Sequence, residues 1–212
     1  MDVAAQLRKL FDAERSVRTL HAELAKVDRK ALIDAVTPAA REMLGSRDTA
    51  EANVRLVRIA ELLVDVEGND AVDLLIDILG STEAEARLSA GEALEERGYS
   101  RYKELALGVE RALGRLSADS TALQELPYLL AEIPEPSVSK LLARFLTLPS
   151  GEAVGSAIEA LVEVGDPAAI KLLAPLEKDS RLVDVAQETK VTVGELAREA
   201  IDLLKRVPKE SA

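Results

Sequence analysis

Residues 154–173 read VGSAIEALVEVGDPAAIKLL, and this stretch decides the fold that the sequence predicts. Its apolar positions recur three and four residues apart up to Val164, which is typical of a helix with one buried face. Gly165 can then adopt the left-handed conformation that ends a helix, Asp166 can cap the next helix, and Pro167 fits a first helical turn. The stretch therefore predicts two helices joined by a short turn, which makes them antiparallel.

The helix-ending signal of this stretch also occurs earlier in the chain. Gly68, Gly98, Pro134 and Gly165 follow one another at intervals of 30, 36 and 31 residues. A period of this length predicts stacked helix pairs, whose second helices would cover 70–79, 101–116, 137–148 and 167–178. Positions eight, five and four residues before each signal share one helical face and are small or apolar: Ala60, Leu63, Val64; Ala90, Ala93, Leu94; Leu126, Leu129, Leu130; Ala157, Ala160, Leu161.

The pattern Val-x-x-Ala-x-x-Ala-Leu, followed by Gly-Asp-Pro-x-Ala, covers residues 154–169 and resembles the HEAT-repeat family, in particular the short HEAT-like repeats of phycobilisome lyases. Residues 86–98 match the pattern in part, and the first and third units match it by spacing and apolar face. Pro127 in the third unit is similar to the kinking proline of longer HEAT helices. The resemblance covers roughly residues 50–206 and implies an all-α solenoid of antiparallel helix pairs.

Both ends of the chain depart from the repeat. We expect an N-terminal helical cap over 1–46, four HEAT-like repeats over 47–179, a hairpin plus final helix as a C-terminal cap over 180–206, and a disordered tail over 207–212. The β-branched residues in 182–185 and 191–193 predict a small β-hairpin, and 194–206 predicts the final helix. Within the N-terminal cap, Thr37 and Pro38 predict that a helix restarts at this point.

The first predicted helix has an apolar seam, in which four residues lie seven apart: Val3, Leu10, Val17 and Leu24. Leu7, Leu20 and Val27 lie between them, and Glu14 interrupts the seam. The first interpretation is a cap, because a terminal repeat needs a cover. The alternative is a seam for a partner or for a second copy of the chain, which would form a homodimer through this helix.

Composition argues against catalysis. The chain has no cysteine, no tryptophan and a single histidine, His21, for which no triad partner is evident. No glycine-rich phosphate loop or calcium loop occurs, and the carboxylates follow the polar faces of predicted helices. HEAT-like deoxyhypusine hydroxylases hold two irons with repeated His-Glu pairs, and this chain has no such dipeptide. We therefore predict a protein that is not an enzyme and has no cofactor or metal.

Net charge and hydropathy limit location and partners. A net charge of −11 disfavours nucleic acid and anionic membranes, and the basic, tryptophan-containing cleft of HEAT-like DNA glycosylases has little counterpart here. No stretch approaches a membrane span, the first residues do not resemble a secretory signal, and cysteine is absent. The sequence predicts a cytoplasmic protein without membrane insertion.

Charge differs between the two helices of each predicted pair. The first helices are acidic, whereas the second helices have an acidic stripe at Asp70, Asp73 and Asp77 followed by basic stripes. The second helices of HEAT solenoids line the concave surface, so the resemblance implies a basic strip there that suits an acidic segment of a protein partner. The candidate partner-binding residues of this strip are Arg111, Arg115, Lys140, Arg144, Lys171 and Lys178.

The function that these observations favour is non-catalytic protein–protein interaction, as a scaffold, adaptor or regulatory subunit that binds its partner through the concave face. The alternative is an auxiliary subunit of a heteromeric enzyme such as a lyase, and it rests only on the likeness to the lyase repeats.

Overall fold

A computed structural model describes residues 2–186 and 189–206. Helices dominate these ranges, and their bounds are α1 Val3–Leu24, α2 Arg29–Leu44, α3 Thr49–Leu63, α4 Asn69–Leu79, α5 Ala84–Arg115, α6 Thr121–Ala131, α7 Val138–Phe145, α8 Gly151–Val164, α9 Ile170–Leu173 and α10 Val193–Leu204. Two 3-10 turns, Pro167–Ala169 and Ala174–Leu176, flank α9, and the strands are β1 Leu182–Ala186 and β2 Thr189–Thr192. The all-α class and the small hairpin near the C-terminus are confirmed.

The helices pack mainly on neighbours along the chain. Helix α2 contacts α3 and α4, both of these contact α5, α5 contacts α6 and α7, and α8 contacts α6, α7 and α10. The core between them consists mostly of Leu, Val, Ile and Ala, and small residues allow close helix approach. Most of the inward positions that the repeat spacing predicts are buried, namely Ala60, Leu63, Ala90, Ala93, Leu94, Leu126, Leu130, Ala157, Ala160 and Leu161.

The hairpin is antiparallel, with Leu182 opposite Thr192 and Val183 opposite Val191. Buried Val183 packs where α8 has Gly155, whose missing Cβ would lie 2.8 Å from a Val183 methyl carbon. Thr192 then starts α10 with a reciprocal cap: the Glu195 amide donates to its hydroxyl, and its own amide donates to the Glu195 carboxylate. The predicted turn residues 187–188 and the predicted tail 207–212 lie outside the described residues.

Of the three predicted helix-ending glycines, only Gly165 has the left-handed conformation at the end of a helix, with φ 70° and ψ 15°. Gly68 also has a positive φ angle, 98°, but its ψ angle is 164° and it lies at the N-terminal cap of α4. Gly98 lies buried inside α5, which continues to Arg115 and departs from helical geometry at Arg101 instead, with φ −147° and ψ 49°. A Cβ at Gly98 would lie 2.3 Å from Ile133 Cδ1. Close packing, and not a left-handed cap, therefore accounts for this glycine.

The sequence predicts that a helix restarts at Pro38, but α2 is continuous through this residue. Asp28 caps the helix by accepting a hydrogen bond from the Ala31 amide at 3.1 Å, and the helix runs from Arg29 through Pro38. The apolar face is buried on both sides of the proline, at Leu32, Ile33, Val36, Ala40 and Met43. Because this continuous face packs on α3 and α4, the packing outweighs the one backbone hydrogen bond that proline removes.

The second helix predicted over 167–178 is broken into a 3-10 turn, α9 and a second 3-10 turn. Pro167 begins the first turn and Pro175 lies in the second, where it removes a backbone donor. Only α9, with four residues, remains α-helical within this segment.

The two helices of the predicted N-terminal cap over 1–46 differ in their packing. Helix α2 packs against α3 and α4 and so covers the first helix pair, whereas α1 has no buried residue. Among the described helices, none is both long and apolar enough to cross a membrane.

Candidate protein-binding surface

Helix α4, residues 102–115 of α5, and α7 form what we call the second-helix face. These three segments contact one another in order, and α2 borders α4 on the outer side. Residues 102–115 lie in the middle because the backbone departure at Arg101 redirects the chain after the first arm of α5. The face therefore brings together side chains that are far apart in sequence.

A groove follows residues 102–110 on this face. It has one part of about 800 Å³, between α5, α4 and the start of α2, and an adjoining part of about 460 Å³ between α5 and α7. Tyr102, Lys103 and Leu107 border both parts. The other lining residues are Arg29, Gly68, Asn69, Asp70, Arg101 and Glu104 in the first part, and Ala106, Glu110, Glu135, Ser137, Lys140 and Leu141 in the second.

Arg97 forms an ion pair with Glu104, which lines the first part of the groove. Arg97 is fully buried, and its side chain is the largest of the fully buried side chains in the described residues. Its Nη2 donates to the carbonyl oxygens of Leu63 at 2.8 Å and Val66 at 2.7 Å, at the end of α3. Its Nη1 lies 3.5 Å from the Glu104 carboxylate. Burial lowers the pKa of Arg97, and the charge of Glu104 opposes this effect. The ion pair therefore stabilises a charge that would be costly to bury alone.

Glu104 also binds the turn before α4. One carboxylate oxygen accepts a hydrogen bond from the Gly68 amide, at the positive end of the α4 dipole. The other oxygen lies 3.6 Å from Arg101 Nε, and Arg101 Nη1 lies 2.9 Å from Glu67. The anion position at this helix start is thus occupied by the chain's own carboxylate, so the groove is not a vacant anion site.

An aromatic and an aliphatic side chain lie beside these charged groups. Leu107 is 49% exposed, and Tyr102 is half-buried between the two parts of the groove. Burial raises the pKa of Tyr102, while its hydrogen bond with Ser137 opposes the shift. A neutral phenol beside an exposed leucine offers both apolar contact and hydrogen bonding to a ligand.

Two of the predicted binding residues on α5 pair with the acidic stripe of α4. Arg111 contacts both carboxylate oxygens of Asp73, the shortest distance being 2.9 Å. Arg115 Nη1 lies 2.6 Å from Asp77. All four side chains are at least partly exposed, so each pair adds at most about 1 kcal/mol to stability. Their main effect here is to neutralise the charge of both arginines.

The predicted residues on α7 differ from one another. Arg144 Nη2 lies 3.3 Å from Glu110, so this pair joins α7 to α5. Lys140 is exposed on the second part of the groove and forms no ion pair with any described residue. Of the predicted basic strip, the structure therefore places an uncompensated charge on the groove only at Lys140.

Lys171 lies on α9 and Lys178 follows the second 3-10 turn, and both are exposed. Neither borders the groove, since α9 packs on α10 and on the two turns beside it. Of the six predicted residues, Lys140 is therefore the one that borders the groove.

Sequence reasoning missed Lys103, which borders both parts of the groove and forms no ion pair within the described chain. Its signal was the spacing of Lys103, Leu107 and Glu110, which share one helical face. Among the carboxylates of the groove, Glu135 has no Arg or Lys partner in the described residues. For the part of the chain that the structure describes, the unpaired charges of the groove are thus Lys103, Lys140 and Glu135. The uncompensated charge of the groove is therefore net positive on a chain of net charge −11.

The four residues of the predicted N-terminal seam are exposed. Val3, Leu10, Val17 and Leu24 are 63%, 52%, 40% and 43% exposed. His21 lies on the same helix and is partly buried. Throughout residues 2–186 and 189–206, no three His, Cys, Asp or Glu side chains are grouped so that they could hold a metal ion.

Comparisons with known proteins add little to this geometry. No protein-family model matches the chain, and no curated protein is significantly similar to it. The chain is similar to an engineered protein whose crystal structure was determined as a Northeast Structural Genomics Consortium target, with 20% identity over 91% of this chain and 90% of that one. The TM-score of 0.33 is too low for this likeness to support a shared fold.

Proposed function

We propose that this chain is a HEAT-like α-solenoid and a non-catalytic cytoplasmic protein-interaction module, which acts as a scaffold, adaptor or regulatory subunit. It binds an acidic segment of a protein partner along the groove of the second-helix face. The observation that supports this most is the position of Lys103 and Lys140, two uncompensated cations beside an exposed leucine. The repeat pattern and the order of helix contacts support the solenoid.

The expected ligand follows from the groove. Lys103 and Lys140 attract carboxylates, while Leu107 and Tyr102 suit one apolar side chain between them. Because both lysines are exposed, they act chiefly on association rate and specificity. Affinity would come from the apolar contact and would depend less on salt.

A displayed random peptide library, selected on the immobilised full chain, tests this proposal. We expect wild type to enrich acidic peptides that contain an apolar anchor, and the double variant Lys103→Glu with Lys140→Glu to lose them. The matched control is Arg55→Glu with Arg58→Glu on α3, which changes the net charge equally and lies outside the groove. The absence of enrichment, or equal enrichment by all three proteins, would contradict the proposed groove.

Self-association through α1, which is the alternative to a capping role for this helix, would use none of the groove residues. The two kinds of binding are therefore compatible in one molecule.

A further inference from the structure

Helix α1 presents an apolar stripe that nothing in the described chain covers. The helix has 22 residues and no buried side chain, and at 1.5 Å per residue it is about 33 Å long. Its exposed large apolar residues are Val3, Leu7, Leu10, Phe11, Val17, Leu20 and Leu24. An uncovered stripe of this length on a folded protein marks an interaction surface.

Charge selects the kind of partner that fits this stripe. Residues 1–28 contain five basic and five acidic side chains, so this segment is neutral and the net charge of −11 belongs to the rest of the chain. A neutral helix with both signs interspersed is not built for an anionic membrane or a highly charged partner. It suits a helix of the same mixed composition, and α1 of a second copy is such a helix.

We infer that α1 pairs in antiparallel orientation with α1 of a second copy of this chain. The heptad positions of α1 that form the seam are Val3, Leu10, Val17, Leu24 and Gln6, Ala13, Leu20. When Leu10 lies opposite Leu20 of the second copy, Gln6 lies opposite Leu24 of that copy. In the same register Val17 lies opposite Ala13, so the seam stays apolar over its central layers.

The flanking charges make different contacts in the two possible orientations. In the antiparallel register Lys9 lies beside Glu23 of the second copy, and this favourable contact occurs twice. On the other edge Glu14 lies close to its own counterpart, near the two-fold axis. In a parallel pair, Lys9 would instead lie beside Glu14 of the second copy, also twice, so these charges provide a test of the orientation and do not select it.

The position of the folded bodies favours the antiparallel pair. Helix α2 begins at Arg29, so the body follows directly after the C-terminal end of α1. A parallel pair would bring two bodies of net charge −11 to the same end, where they repel each other. An antiparallel pair separates the bodies by about the length of α1, roughly 33 Å.

Sedimentation equilibrium of the full chain over a range of concentrations tests the pairing itself. A seam of about three heptads predicts a weak dimer, with a Kd on the order of 10 µM. Leu10→Glu and Leu20→Glu should each raise this Kd about tenfold or more, because each places a charge in the seam. The matched control is Leu88→Glu on α5, which changes an exposed leucine of the body and should leave the Kd unchanged. A chain that stays monomeric at every concentration, or a dimer that Leu88→Glu weakens as strongly, overturns the inference.

Charge variants test the orientation. Lys9→Glu and Glu23→Lys should each raise the Kd about fivefold, and an equimolar mixture of the two variants should form a heterodimer of wild-type affinity. Glu14→Gln should lower the Kd about twofold in the antiparallel pair, because it removes repulsion, and would raise it in a parallel pair. Failure of the mixture to recover affinity, together with a raised Kd for Glu14→Gln, overturns the antiparallel orientation. These outcomes are independent of the groove, whose peptide selection uses other residues.

Discussion

Helices α1 and α8 have the same kind of apolar periodicity and opposite environments. Helix α8 has 14 residues, eight of which are buried, because α6, α7, α10 and β1 all pack on it. Helix α1 has 22 residues, none of which is buried. Periodicity therefore shows that a helix has an apolar face, but it does not show whether the same chain covers that face.

Side-chain size explains why α8 is covered by its own chain. Gly155, Ala157 and Ala160 are buried there, and they allow neighbouring backbones to approach closely. The corresponding face of α1 has large residues, such as Leu10 and Leu20, which suit a two-helix seam and do not fit between two layers of helices. Substitutions on covered faces should therefore affect stability far more than substitutions on the uncovered face of α1.

The largest effect should follow a charge placed on the covered face of α8. Ala160 is fully buried, so Ala160→Arg should lower the free energy of unfolding by about 2 kcal/mol or more through overpacking and charge burial. Urea denaturation followed by circular dichroism measures the change, with Glu163→Arg at an exposed position of α8 as control. If Ala160→Arg left the urea midpoint unchanged, Ala160 would not lie on the buried face of α8.

Helix α5 has one glycine on a packed face, Gly108, and one on an open face, Gly114. A Cβ at Gly108 would lie 2.2 Å from Val72 Cγ1, whereas a Cβ at Gly114 meets no atom within 4 Å. Gly108→Ala should therefore destabilise the protein by about 1–3 kcal/mol, since valine cannot easily move aside. Gly114→Ala should stabilise it by about 0.5–1 kcal/mol, since alanine favours the helix. Equal shifts of the two urea midpoints would contradict this packing.

Acid should weaken the contact between the segment around Asp179 and the start of α10, the helix that packs on α8. Hydrogen bonds from the Arg181 guanidinium hold the pKa of Asp179 below its usual range, and the Asp179 carbonyl accepts a hydrogen bond from Gly194 at the start of α10. A carboxyl group whose pKa is lowered by folding stabilises the protein at pH values above its unfolded pKa, about 4. This contribution is lost as the pH falls through the lower pKa of the folded state.

Asp179→Asn should consequently be less stable than wild type at pH 7 and should lose less stability on acidification. Melting temperatures between neutral pH and about pH 2 measure this difference, with Asp34→Asn on the exposed side of α2 as control. Parallel pH profiles of wild type and Asp179→Asn would show that the ion pair does not contribute to acid sensitivity.

The smallest effect should follow a charge on the uncovered face of α1. Leu10 is 52% exposed, so Leu10→Arg should change the free energy of unfolding of the dilute protein by no more than about 0.5 kcal/mol. The measurement is the same urea titration, performed at low protein concentration so that self-association does not contribute. A loss as large as that of Ala160→Arg would mean that α1 packs on the body in solution.

The turn at residues 165–167 was predictable from local sequence. Gly165 adopts the left-handed conformation, Asp166 accepts the Ala168 amide at 2.8 Å, and Pro167 begins the following turn, as residues 154–173 predict. These outcomes depend on interactions within a few residues, so the order of residues is sufficient to predict them. The same is true of the β-branched segments that form the hairpin.

Gly98 shows where such reasoning stops. It has the same residue type and repeat position as Gly68, yet only Gly68 adopts a positive φ angle. Gly98 stays helical beside Ile133, which lies 35 residues away in sequence and leaves no room for a side chain. Local propensity does not contain this contact, because it exists only after the helices have packed.

The binding surface divides in the same way. The sequence alone determined that this is a helical chain with repeated apolar faces, and it placed basic residues on polar stripes of the second helices. Only the tertiary structure decided that Arg111 is neutralised by Asp73, 38 positions away, while Lys103 and Lys140 stay uncompensated beside one groove. The physical reason is range: helix formation and capping act over one or two turns, whereas the charge and shape of a surface depend on which distant side chains packing brings within a few ångströms.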